Sequence, residues 1–368
     1  MAINYYIVLL KMKSQMNLAK THKNNFDFLR LLFAIFVVIT HSYSLSGIKE
    51  NDILSQITMQ QTSLSYIGVR GFFIISGYLI FQSMQRSSSM TLYYWKRILR
   101  LFPGLMIVLL LTICVGFFVY DSNMQSYVSN KSMWLYIPNN LSLYNLQFGI
   151  VGVLKNGPIN GSLWTIRYEF SFYVLISLLF FFRNKKELIN NIMAISFILL
   201  FLGKFLFFEK IGTIGYILGN SNTLNLGLYF IGGSLLASIK IEDNKFKTAL
   251  FIIAILLLCL SFYFKVFFFS QFIVLPFIVV IIGLSSTKYI NSLSKIFGDI
   301  SYGIYIYSFP IQQILMYFFN LNYLQLMGIS LILSFFFGFL SWNLVEKKAL
   351  NFKNLKFKPI LIFQRSVY

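Results

Sequence analysis

Residues 29–42 read LRLLFAIFVVITHS, and the fold turns on how that stretch is read. Ten residues separate Arg30 from His41, and nine of them are plainly apolar, Thr40 being the exception. A helix carries eleven residues over roughly 16 Å and returns His41 to within about 20° of the Arg30 face. The stretch is therefore an apolar rod with a cation near one end and an imidazole near the other, on one stripe.

The rest of the chain explains why such a rod exists. Of 368 residues, 57% are hydrophobic and 11% charged, against roughly a quarter charged in soluble domains. Several apolar runs reach the roughly 20 residues needed to cross a bilayer core. The expected fold is all-α, a polytopic membrane helical bundle of about ten transmembrane helices. The spans fall near 26–45, 66–84, 101–120, 161–182, 190–208, 223–239, 248–264, 266–284, 300–319 and 324–345. Residues 1–25 form a basic cytoplasmic arm, 26–346 the transmembrane domain and 347–368 a basic cytoplasmic tail.

Lys and Arg gather in short cytoplasmic loops, which gives an independent reading of orientation. With the N-terminus inside, 22 of the 31 basic residues fall on inward segments. Only Lys49, Lys131, Lys155, Lys210 and Lys265 fall on outward ones, while Arg30, Arg70, Arg167 and Lys204 lie within spans. The alternation predicts an N-in, C-in protein. It also accounts for the net charge of +20 as a basic membrane face that attracts anionic lipid head groups, with no nucleic-acid partner implied. INYYIVLL at residues 3–10 is too short to span and has no basic flank before it, so no signal peptide is expected. Cys114 and Cys259 fall within separate spans without a partner pattern, and neither a disulfide nor a metal site follows.

Ionisable groups inside a span are costly and mark candidate sites. Arg30 suits either a snorkelling boundary residue or a ligand contact. His41 suits either a carbonyl hydrogen bond or a general base, because its unperturbed pKa lies closest to neutral. In GSLWTIRYEFSFY (161–173), Glu169 lies about 12 Å below the outer end of its span by helix rise, at a depth similar to His41. It suits an ion pair or a reaction site. In YYWKRILRLFP (93–103), Arg97 and Arg100 share a helix face. They serve as topological markers or as forks for phosphate, and Pro103 marks a helix start or kink.

Taken together, these segments resemble the acyltransferase-3 family of bacterial membrane O-acyltransferases. FDFLRLLFAIFVVITHS resembles the family's first span, in which a basic residue precedes a His by eleven positions. GVRGFFIISGYLI is similar to its second span, KRILRLFP to its Arg-x-x-Arg motif with a following proline, and SLWTIRYEFSFY to the segment holding its membrane Glu. ISYGIYIYSFP resembles a late-span Ser-Tyr motif and WNLVEKK the usual terminal Glu-Lys. Departures are Arg70 where Asp is frequent, Ser308 at the place of a frequent His, and Lys348 at that of a common Pro. The appended extracytoplasmic domain of some relatives is not expected.

The resemblance implies transfer of an acyl group, acetyl above all, from cytosolic acetyl-CoA to a hydroxyl outside the membrane. No permanently bound cofactor or metal is expected. Its implied catalytic residues are His41 and Glu169, with Arg30, Arg97 and Arg100 on the donor's phosphates. Trp164, Ser76 and Tyr302 are the expected substrate contacts. The implied acceptor is a lipid-linked or surface glycan such as lipopolysaccharide O-antigen or capsule, and the implied location the bacterial inner membrane. The remaining alternatives are a glycan polymerase, a lipid-linked sugar flippase, and an acyl-group exporter serving a separate transferase.

Overall fold

A computed structural model describes residues 24–206, 221–287, 290 and 296–354. His22 with most of the basic N-terminal arm, Lys210, Lys288, Lys295 and the chain from 355 onward lie outside the described residues. Ten helices organise it: α1 (Phe26–Leu45), α2 (Leu64–Arg86), α3 (Met90–Phe118), α4 (Gly161–Phe182), α5 (Lys186–Leu206), α6 (Ser221–Ser238), α7 (Lys247–Tyr263), α8 (Phe267–Leu284), α9 (Ser301–Phe318) and α10 (Tyr323–Ser341). α4 is composite, with 3₁₀ turns at Gly161–Thr165 and Leu178–Phe182 flanking an α-helix at Ile166–Ser177. Seven of these, all but α6, α7 and α9, are both long and apolar enough to cross a membrane. The other three occupy the remaining expected segments as helices without meeting both criteria.

Local capping sets two boundaries. Ser63 accepts the Tyr66 amide and opens α2, and Ser89 accepts the Leu92 amide and opens α3. The Ser89 cap starts α3 well before the expected residue 101. Pro103 consequently lies inside that helix rather than at its start, and Arg97 and Arg100 are helical residues of α3. At the other end of the chain, the helix runs on through a π-turn at Trp342–Glu346, then Lys347–Leu350 and Asn351–Asn354. Trp95 donates its indole N–H to the Phe352 carbonyl at 2.9 Å. The first residues of the expected basic tail are thus helical and meet the N-terminal part of α3.

α2 is the most enclosed of the seven long apolar helices, and small residues let it sink between its neighbours. A Cβ at Gly77 would stand 1.9 Å from the Phe230 carbonyl oxygen, and one at Gly233 would stand 2.1 Å from that of Ile74. Ser234 seals this α2–α6 crossing by donating to the Gly77 carbonyl at 3.0 Å. Where lipid offers no hydrophobic drive between helices, such backbone approach is what holds them.

Side-chain contacts between distant segments sort by helix end. Asn25 donates to the Ile282 carbonyl, Arg183 to that of Ser87, and Tyr78 to Glu242. At the opposite ends Gln61 donates to the Phe262 carbonyl and Gln313 to that of Pro158. α1 and α9 run in parallel, since Arg30 meets Asp299 near the start of both while His41 packs on Phe309 further along.

Candidate active site

A cavity of about 380 Å³ lies between α1, α2, α3, α4 and α9, with the chain after α10 along one side. That volume falls within the range of small-molecule sites. Its lining holds six cations (Arg30, Arg86, Lys96, Arg97, Arg100 and Lys353) against two carboxylates, Glu169 and Asp299. Arg86, Lys96 and Lys353 stand toward one mouth, beside the ends of α2 and α3 joined by Ser87–Ser89. Ser76, Thr165, Glu169 and Tyr305 line the far part.

The three arginines expected to hold phosphate differ in what they already touch. Arg100 places Nη2 2.6 Å from Asp299 Oδ2, and Arg30 places Nη1 3.2 Å from the same oxygen. Arg100 also stands 3.9 Å from Glu346, which is 1% exposed and accepts from Ser341 at 2.8 Å. Its guanidinium is flanked by the rings of Tyr302 and Trp342. Arg97 has no carboxylate within ion-pair reach among the described residues. It donates to Ser83 Oγ at 3.3 Å, faces the rings of Tyr93 and Tyr173, and leaves Nε buried without a partner. Of the three, Arg97 is the one whose charge is unspent on protein, and so the one best able to meet an anion.

Further in, Glu169 accepts Ser76 Oγ–H at 3.2 Å and the Tyr173 hydroxyl, both on Oε1. Tyr173 lies four residues along α4, one turn away on the same face. With both donors on one oxygen, the other has no hydrogen-bond partner among the described residues. Thr165 and Tyr305 share a hydrogen bond of 2.9 Å beside it.

His41 stands outside this lining. Its imidazole meets Phe309 edge-on at 5.4 Å, with Nδ1 buried and unpartnered. Phe309 lies one turn beyond Tyr305 on α9, and its ring also covers Gly161 at the head of α4. The expected shared stripe is present, as Arg30 and His41 both face α9. Glu169 is bonded to Ser76 and Tyr173, and among the described residues no hydrogen bond joins it to the imidazole.

Of the expected substrate contacts, Ser76 and Tyr302 line the cavity, while Trp164 packs edge-on against Tyr168 at 5.9 Å, outside the lining. Arg70, the departure in α2, lies 3.6 Å above the Tyr66 ring. Sequence reasoning passed over Asp299 and the Arg100 contact of Glu346. Both belong to a set of only eleven acidic residues, and an acid at the end of a span was the available signal.

The comparisons bear on what this geometry serves. Among curated proteins, an O-acetyl transferase of Shigella phage Sf6 is 29% identical over 343 residues, spanning 89% of this chain and 97% of its own. Nodulation protein 10 of Rhizobium leguminosarum bv. viciae is 30% identical over 166 residues, 43% of this chain and 44% of its own. No solved structure matches significantly. The profile of the acyltransferase domain matches residues 23–345, from just before α1 through the Arg-x-x-Arg turn and Glu169 into the π-turn. With that match covering most of the chain and all of the cavity's helices, the protein belongs to the acyltransferase-3 family and is a membrane acyltransferase.

Proposed function

We propose that this acyltransferase moves an acetyl group from cytosolic acetyl-CoA to a hydroxyl of a surface polysaccharide, O-antigen or capsule, across the bacterial inner membrane. The observation that carries the reading is the cavity. Its cationic mouth suits a polyanionic donor, and its far part suits a neutral thioester arm ending near Glu169. Arg97 is the principal phosphate contact in this account. Arg30 and Arg100, fixed by Asp299, shape the mouth and add to its potential.

The sorting of contacts by helix end supports ten crossings with both termini in the cytoplasm. Arg86, Lys96, Arg97, Arg183 and Lys353 then share the cytosolic side with the cavity mouth. The parallel run of α1 and α9 also fits an unbroken alternation of crossings between them.

Chemically, the acceptor hydroxyl attacks the thioester carbonyl and gives its proton to His41. The carbon–sulfur bond breaks, and the CoA thiolate leaves and takes up a proton. Glu169 acts from the donor side, where its unengaged oxygen faces the acyl end of the arm. Its hydrogen bonds among the described residues run to Ser76 and Tyr173 and not to the imidazole. The acyl end must pass the Tyr305–Phe309 row of α9 to reach His41.

The test is acetyl transfer by purified protein from labelled acetyl-CoA to a lipid-linked glycan. Product without a second protein supports a complete enzyme. Label that transfers only after a separate transferase is added identifies an exporter instead.

A further inference from the structure

His41 has no hydrogen bond of its own to hold its ring, yet the residues on either side of it are fastened. Thr40 is fully buried and donates to Asp52 Oδ2 at 2.8 Å, while its oxygen accepts the Ser65 amide of α2 at 3.0 Å. Asp52 is itself fully buried. It accepts the Ser55 amide at 3.0 Å and the Leu64 amide at 3.0 Å, and among the described residues it forms no ion pair.

Ser42, on the other side, is fully buried too. Its hydroxyl accepts from Gln312 Nε2 of α9 at 2.9 Å, and the same amide nitrogen lies 2.9 Å from the Val38 carbonyl. A Thr at 40 and a Ser at 42 point about 200° apart around a helix, so α1 is gripped from two sides at the turn that carries the imidazole.

Capping the short helix at Ile53–Ile57 requires only an exposed Asp. Full burial of a carboxylate is costly, and here it is spent on a link between α1 and α2 one residue from His41. We propose that Asp52 and Gln312 are positioning residues that brace α1 through Thr40 and Ser42, fixing the rotation at which His41 meets the acceptor hydroxyl. The inference rests on His41 being the base. The brace sets kcat, because it acts on the geometry of proton transfer, and leaves donor binding at the distant mouth untouched.

The chain holds two histidines, so a His22→Gln background leaves one imidazole to observe. In that background, ¹⁵N-histidine spectra and acetyl-transfer kinetics are compared for Thr40→Val, Thr40→Ser, Asp52→Asn and His41→Ala. Thr40→Val is expected to lower kcat roughly ten- to hundredfold, keep the donor KM, and shift or split the His41 signal. Thr40→Ser, which restores the hydroxyl, is expected to recover all three. A Thr40→Val protein with normal kcat and an unchanged His41 signal, beside an inactive His41→Ala, overturns the brace. An active His41→Ala overturns the functional reading beneath it. Should Asp52→Asn fail to fold, the Thr40 pair still decides.

Discussion

Arg100 and Asp299 meet at 2.6 Å on the wall of a cavity whose lining holds six cations and two carboxylates. Arg30 reaches the same carboxylate oxygen, so one acid holds two guanidiniums from α1 and α3 at the start of α9. Removing that acid takes the carboxylate from Arg30 and leaves Arg100 only Glu346 at 3.9 Å, in a largely desolvated place. Asp299→Ala is expected to destabilise the protein by about 3–5 kcal/mol, the usual result of breaking a buried ion pair. Thermal unfolding in detergent checks this. An unchanged melting point would mean that the arginines find other partners.

Arg97 predicts the opposite pattern. It has no acid to lose, so Arg97→Gln should leave stability nearly unchanged. The loss falls on donor binding, with KM for acetyl-CoA rising about tenfold or more, the worth of a charge-assisted hydrogen bond. Steady-state kinetics against acetyl-CoA separate the two arginines: Arg97→Gln moves KM at normal stability, and Arg100→Gln lowers stability as well.

Glu169 is held by Ser76 and Tyr173 on one oxygen. Glu169→Gln keeps an acceptor for both donors while discarding the charge. It should fold normally and lose roughly 10²–10⁴ in kcat if the carboxylate takes part in proton movement. Tyr173→Phe and Ser76→Ala, which remove one donor each, should cost far less. Equal losses in all three would argue that the network is only structural.

The α2–α6 crossing is a test of the fold alone. A methyl at Gly77 would lie 1.9 Å from a backbone oxygen, an approach that no side-chain adjustment relieves. Gly77→Ala should therefore lower the yield of folded protein sharply, measured as monodisperse protein after detergent extraction. Ser234→Ala, which removes only a hydrogen bond to the Gly77 carbonyl, should cost about 1 kcal/mol.

Much of this was legible in the sequence, for reasons that differ by residue. The Arg30–His41 stripe followed from helical periodicity within one segment, and both residues do face α9. The pairing of Glu169 with Tyr173 was equally local, four residues along one helix. Asp299 was not legible as a partner, because its contacts with Arg30 and Arg100 join parts of the chain far apart in sequence, and no periodicity reports which helices become neighbours. The same gap hid the Ser76 contact of Glu169, which joins two different helices. Of the two readings of Pro103, a helix start or a kink, the start is excluded: the Ser89 cap upstream sets it, and a proline within a helix among other helices is tolerated.

The account's central claim is that the acyl group enters at the cytosolic mouth and leaves on the opposite face. Proteoliposomes of known protein orientation test it, with labelled acetyl-CoA on the Arg97 side and the glycan acceptor only on the other. The account predicts labelled ester on the glycan across the membrane, abolished by His41→Ala. Ester formation only when donor and acceptor share one side would contradict it.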